Sequence, residues 1–180
     1  MKEKIYTIPV NEAFESECSC PLCLIEKRLE NEAVEYALGA AMMEPDYRIE
    51  SNEKGYCRRH FSQLIKSPNK LSLALVLETH LDEITKNLNE NEKAVSALGK
   101  SGLFKKNSLP VTAEKITEVL DGVEHKCVVC DKVNHTMERY CSTLLYMWSS
   151  DEDFKKKFSE REICLHHSNM LFKGVQKELK

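Results

Sequence analysis

The sequence predicts an all-α protein built from a duplicated helical unit, and three observations predict it. Glycine (6) and proline (5) are scarce in 180 residues, and a chain poor in breakers but rich in Leu, Ala, Glu and Lys favours long helices over sheets. Apolar residues recur at three- and four-residue steps through most of the chain. A set of four cysteine and histidine positions also recurs at one constant offset, which marks an internal repeat.

The elements follow in order. From Leu22 to Met43 the only breaker is Gly39, and Leu22, Ile25, Leu29, Ala33, Tyr36, Ala37, Ala40 and Met43 draw one apolar stripe. That spacing predicts an amphipathic helix, with Pro21 suited to its first position. Val129, Val133, Met137, Tyr140, Leu144 and Trp148 draw the matching stripe in the second half. Glu44-Pro-Asp and Ser149-Ser-Asp end the two helices, and irregular segments are expected at 47–56 and 154–163. New helices are expected over 57–66 and 164–180. Between the copies, Leu71, Leu75, Leu77, Leu81, Ile84, Leu88 and Val95 predict one long helix over 71–98. Gly99 to Val111 reads as the linker, and a short helix over 113–120 leads into the second copy. The domains expected are therefore 1–98, a linker 99–111, and 112–180.

The repeat is carried by the cysteines. Cys20-Pro-Leu-Cys23 is followed after 33 residues by Cys57-Arg-Arg-His60, and Cys127-Val-Val-Cys130 after 33 residues by Cys164-Leu-His-His167. All four positions of the first set map onto the second at an offset of 107. A lone Cys-x-x-Cys is weak evidence, whereas two four-residue sets in identical long register are strong evidence. Apolar residues share the register: Leu22 falls on Val129, Ala33 on Tyr140, Ala37 on Leu144, Leu38 on Leu145, Tyr47 on Phe154, Tyr56 on Ile163 and Leu64 on Leu171.

The N-terminal segment lacks the apolar run of a secretory signal, and the stretch 71–77 is too short to span a bilayer. A cytoplasmic setting is expected, where eight cysteines point to metal rather than disulfides. Three thiolates with one histidine form a closed tetrahedral zinc set, so two zinc ions are expected, on Cys20, Cys23, Cys57 and His60 and on Cys127, Cys130, Cys164 and His167. Each ion would join one helix start to the next within its own copy. Helix N-termini favour the thiolate that a metal needs. An iron–sulfur cluster is the alternative occupant.

Other polar residues are weighed against simpler readings. Cys141 lies on an apolar stripe and reads as a small core residue. Cys18 aligns with His125 two residues before each Cys-x-x-Cys, as coincidence or as a substitute ligand. The register selects His167 over His166. His80 and His135 read as surface residues, and Lys105–Lys106 and Lys155–Lys157 as solvated faces without an aromatic platform for nucleic acid. With a net charge of −3, carried to −5 by two anionic zinc sites, nothing draws the chain to nucleic acid or anionic lipid.

The run Ile8-Pro-Val-Asn-Glu-Ala-Phe14, then Cys20-Pro-Leu-Cys23, Gly55-Tyr-Cys-Arg-Arg-His60 and the second pair of motifs resembles a family of uncharacterised bacterial proteins over nearly the whole chain. The Gly-Tyr-Cys-x-x-His element is its most specific part. The resemblance implies a duplicated, cysteine-rich, cytoplasmic protein and carries over no activity. Closed four-ligand sites are structural, because catalytic zinc keeps a position open for water. The leading expectation is a zinc-stabilised interaction or adaptor module facing protein partners, and the alternative is a thiol-based redox or metal sensor. A metal-dependent enzyme or a nucleic-acid-binding protein is the weaker reading.

Overall fold

A computed structural model describes the backbone of residues 5–100 and 108–178. It is helical throughout, with no strand among the described residues. In chain order the helices are α1 (Thr7–Glu15), α2 (Pro21–Leu38), a 3-10 turn (Ala40–Met43), α3 (Pro45–Lys54), α4 (Arg58–Lys66), α5 (Lys70–Lys100), α6 (Ser108–His125), α7 (Val128–Ser150), α8 (Glu152–Ser159) and α9 (Leu165–Glu178).

The duplication is visible in the helix starts. Pro21, Pro45 and Arg58 open α2, α3 and α4, and Val128, Glu152 and Leu165, each 107 residues on, open α7, α8 and α9. Five of the seven matched apolar pairs are buried in both copies: Leu22 with Val129, Ala33 with Tyr140, Ala37 with Leu144, Tyr47 with Phe154, and Leu64 with Leu171 are all core residues. Each copy is thus a long helix, a short helix and a ligand-bearing helix in the same register.

The two segments expected to be irregular are helices, α3 and α8. The residues that stop one helix also start the next. Pro45 sits in the first turn of α3, where its missing N–H costs nothing, and Asp46 adds acidic charge there. At α8 the Asp151 carboxylate accepts the N–H groups of Asp153 and Phe154 at 2.9 and 3.1 Å, with Glu152 and Asp153 in the first turn and Lys156 and Lys157 in the last. α2 ends five residues earlier than its stripe suggests, at Leu38, where Gly39 breaks it into the 3-10 turn.

The chain divides into two units, and the division interleaves the copies. The first unit is Met1–Ala33 with Asp131–Lys180, and the second is Val34–Cys130. The expected boundary lay in the linker 99–111. Of that stretch Gly99 and Lys100 complete α5 and Ser108 to Val111 open α6, while 101–107 lie outside the described residues. Pro110 is carried inside the first turn of α6, where N–H groups have no intrahelical partner, so it does not delay the helix to residue 113.

In the second unit α5 packs against α3, α4 and α6. Arg48 of α3 donates to the Leu75 carbonyl and the Thr79 hydroxyl at 3.2 and 2.7 Å, and Thr79 donates to Asn52 Oδ1 at 2.6 Å. In the first unit α1 rests on α8 through Phe14, which meets Phe154 and Phe158 at centroid distances of 5.1 and 5.8 Å. Arg161 donates to the Phe14 carbonyl at 2.9 Å, and Tyr6 meets Tyr140 edge-on at 4.7 Å.

Candidate metal centres

All eight expected ligands gather into two four-residue groups, but the partners are crossed. Cys20 and Cys23 meet Cys164 and His167, forming site I, and Cys127 and Cys130 meet Cys57 and His60, forming site II. The expectation that each ion joins motifs of one copy is therefore corrected. The physical reason lies in the interleaved units: Cys20, Cys23, Cys164 and His167 all belong to the first, and the other four to the second. A constant offset marks equivalent positions but carries no information on which equivalents come together.

Every motif uses a helix start in the same way. Cys20, Cys57, Cys127 and Cys164 each immediately precede a helix, and the second ligand follows within its first turn. The carbonyls of Cys20, Cys57 and Cys164 accept the first helical hydrogen bonds, from Leu24, Phe61 and Ser168 at 3.3, 2.9 and 2.9 Å. Two helix starts therefore face each other at each site, bringing free N–H groups and partial positive charge to the thiols.

The distances suit one ion per site. At site I the His167 Nδ1 lies 3.8, 3.4 and 3.1 Å from the sulfurs of Cys20, Cys23 and Cys164, and Cys23 Sγ lies 3.6 Å from Cys164 Sγ. At site II the His60 Nδ1 lies 3.3, 3.2 and 3.4 Å from those of Cys57, Cys127 and Cys130, and Cys57 Sγ lies 3.8 Å from Cys130 Sγ. A tetrahedral ion with zinc-like bond lengths sets sulfurs about 3.8 Å apart and sulfur from nitrogen about 3.6 Å apart. In each group all four donor atoms lie within 4.8 Å of one another. Either group could hold a metal ion.

The electrostatics favour a cation. At site I burial opposes the Cys20 thiolate, but the backbone N–H groups of Cys164 and Cys23 outweigh it and its pKa falls. Cys57 at site II behaves alike, with burial outweighed by the backbone of His60 and the side chains of Cys127 and Cys130. Their neighbours pay the opposite way: Cys23 is pushed up to about 12, by desolvation and then by Cys164 and Cys20. Cys127 and Cys130 are likewise raised, by burial first. Three thiols this close cannot all ionise alone, and a divalent cation removes that conflict. Burial lowers the His167 pKa and keeps the ring neutral, as a ligand must be.

Behind His167 stands a carboxylate. The buried Nε2 of His167 has no hydrogen-bond partner and lies 3.6 Å from Glu26 Oε2. With an ion at Nδ1 the ring proton resides on Nε2, facing Glu26, the arrangement that fixes a ligating histidine. The position equivalent to Glu26 in the second copy is Val133, a core residue.

Site II is shaped instead by Gly55. Its φ of 63° lies in the left-handed region. Its carbonyl accepts the N–H of Val128 at 3.1 Å, tying the approach to Cys57 to the start of α7. His80 lies beside it and donates from Nδ1 to the Asn52 carbonyl at 2.7 Å. His80 is thus a buried packing residue and not the surface histidine expected. Its signal was its spacing from Leu73 and Val76, with which it shares the buried face of α5, whereas Leu71, Leu75, Leu81 and Leu88 of the expected stripe are exposed.

The remaining candidates fall outside both groups. Cys18 points to the Ala13 carbonyl at 3.7 Å, His125 is exposed, and His166 is exposed beside His167; it is His167 that gathers with the three thiols. Cys141 is buried, and burial pushes its thiol up to about 11. His135 is exposed, as expected. Lys155 pairs with Glu152 at 2.5 Å and Lys157 with Glu15 at 2.6 Å, so that basic spot is largely neutralised locally; Lys105 and Lys106 lie outside the described residues. Among the described residues no helix is long and apolar enough to cross a membrane.

No curated protein and no solved structure matches the chain. A family model does, over residues 1–180, and the chain belongs to that family, a family of unknown function (DUF6062).

Proposed function

We propose that this member of a family without an assigned role is a zinc-stabilised helical interaction module. The observation that carries the reading is that the eight cysteine and histidine positions form two groups of three thiols and one imidazole, each at the spacing of a single tetrahedral ion. Zinc is the ion this donor set suits best. The cysteines of an iron–sulfur cluster bind different irons on its outside, whereas here four donor atoms within 4.8 Å converge on one point.

Four protein ligands leave no position for a reacting water, so the ions hold helix starts together and chemistry at the metal is disfavoured. Work then falls to the helix surfaces. Leu165 and Phe172, one seven-residue step apart on α9, are exposed by 91% and 69%, and apolar side chains of that exposure suit a protein partner.

Elemental analysis of the purified chain tests the metal, with two zinc ions per chain expected; absence of metal or of the coupled loss of helicity on chelation would overturn the reading. The adaptor role is tested by crosslinking in cells with Phe172→Glu. Loss of the crosslinked partner with zinc content unchanged is expected, and an unchanged crosslinking pattern contradicts it.

A further inference from the structure

The two sites share a ligand set but not an environment. Among the eight ligands Cys23 alone is exposed. At site II Cys127 and His60 are 1% and 3% exposed, and Cys57 and Cys130 are half-buried. Site I also has Glu26 behind its histidine, where the second copy carries an apolar valine. A zinc ion with three thiolates and one imidazole is already anionic, and the Glu26 charge beside it raises electron density on the sulfurs. More basic thiolates are more nucleophilic, and exposure decides which of them a solute reaches.

We propose that site I is a peroxide-responsive zinc–thiolate centre, in which oxidation joins Cys23 to Cys164 and releases the ion, while site II stays loaded. The inference rests on the zinc reading above and adds a modification site to it. The geometry supplies the resolving thiolate: Cys164 Sγ lies 3.6 Å from Cys23 Sγ, against about 2.05 Å in a disulfide. Cys57 and Cys130 are about as close, at 3.8 Å, so proximity does not separate the sites. Exposure does.

The chemistry balances with hydrogen peroxide as the oxidant. The Cys23 thiolate attacks one peroxide oxygen, the O–O bond breaks, and hydroxide leaves, giving a sulfenic acid. The Cys164 thiolate then attacks that sulfur, the S–S bond forms, and the S–O bond breaks to release a second hydroxide. Two protons convert the hydroxides to two waters; the two sulfurs have lost two electrons and the peroxide has gained them. Zinc is left with Cys20 and His167 and departs, and the starts of α2 and α9 become linked by the disulfide alone.

The test uses the full chain, with zinc content measured first. Peroxide is added beside a chromogenic zinc chelator, samples are quenched with iodoacetamide, and the cysteines are mapped by mass spectrometry. One zinc equivalent is expected to leave at least about tenfold faster than the second, as the exposure of a thiolate sets its reactivity. A Cys23–Cys164 disulfide is expected with Cys57, Cys127 and Cys130 still reduced, and a dithiol reductant with added zinc reverses the change. A variant carrying Cys18→Ser and Cys141→Ser should behave like the native chain. Simultaneous loss of both ions, no loss, a first disulfide elsewhere, or a requirement for Cys18 or Cys141 overturns the inference. A chain that holds no zinc before peroxide is added rejects the underlying reading instead.

Discussion

The imidazole of His80 fills the space that a side chain at Gly55 would occupy: a Cβ built there overlaps Nε2 and Cε1 of the ring. Gly55 is thereby required twice, by its φ of 63° and by a neighbour held in place through Asn52. Two residues later comes Cys57, so the same contact sets where a site II ligand stands.

Gly55→Ala is therefore expected to destabilise the second unit by at least about 1–3 kcal/mol, the usual cost of a strained backbone position, with the steric overlap added. Denaturant unfolding measures it. Zinc at site II should weaken in parallel. Adding His80→Ala relieves the overlap but not the strain, so it should restore only part of the loss.

Glu26→Gln is expected to weaken zinc at site I by about 10–100-fold, the range for partners of a ligating histidine, and to leave site II unchanged. Competition with a chelator of known affinity separates the two ions. Equal weakening at both sites would contradict the assignment of Glu26 to His167.

Cys141 should not react with iodoacetamide at pH 8 in the native chain. Burial raises its thiol to about 11, so little thiolate exists at that pH, and its side chain is enclosed in α7. Mass mapping after denaturation should find it unmodified beforehand and modified afterwards.

Leu64→Ala and Leu171→Ala remove equivalent core residues from the two copies. Each is expected to cost about 2–5 kcal/mol, the cost of a buried leucine truncation. Leu64 is fully enclosed and Leu171 slightly less so, so the first should cost more in thermal or denaturant unfolding.

The sequence makes the helical class, the duplication and the identities of all eight clustered residues legible, because ligand chemistry and apolar periodicity are local properties. The pairing is not local. Cys20 and Cys23 lie nearer in sequence to Cys57 and His60, yet they meet Cys164 and His167, and nothing in the motif spacing distinguishes the two arrangements. α3 and α8 were hidden for a different reason. Pro45 and Asp151 read as terminators, while in the fold they also begin new helices. α1 was missed because its nine residues bury only Val10, Ala13 and Phe14, too short a stripe to announce itself. Gly55 was visible only as part of a motif; the histidine that demands it comes from α5, 25 residues on.

The crossed pairing is the central structural claim, and differential alkylation of His60→Ala tests it most directly. In the zinc-loaded variant, Cys127 and Cys130 should lose their protection from iodoacetamide along with one of the two ions, since metal-bound thiolates are shielded only while the ion is held. Cys20 and Cys23 should stay protected. Exposure of Cys20 and Cys23 with continued protection of Cys127 and Cys130 would contradict the account.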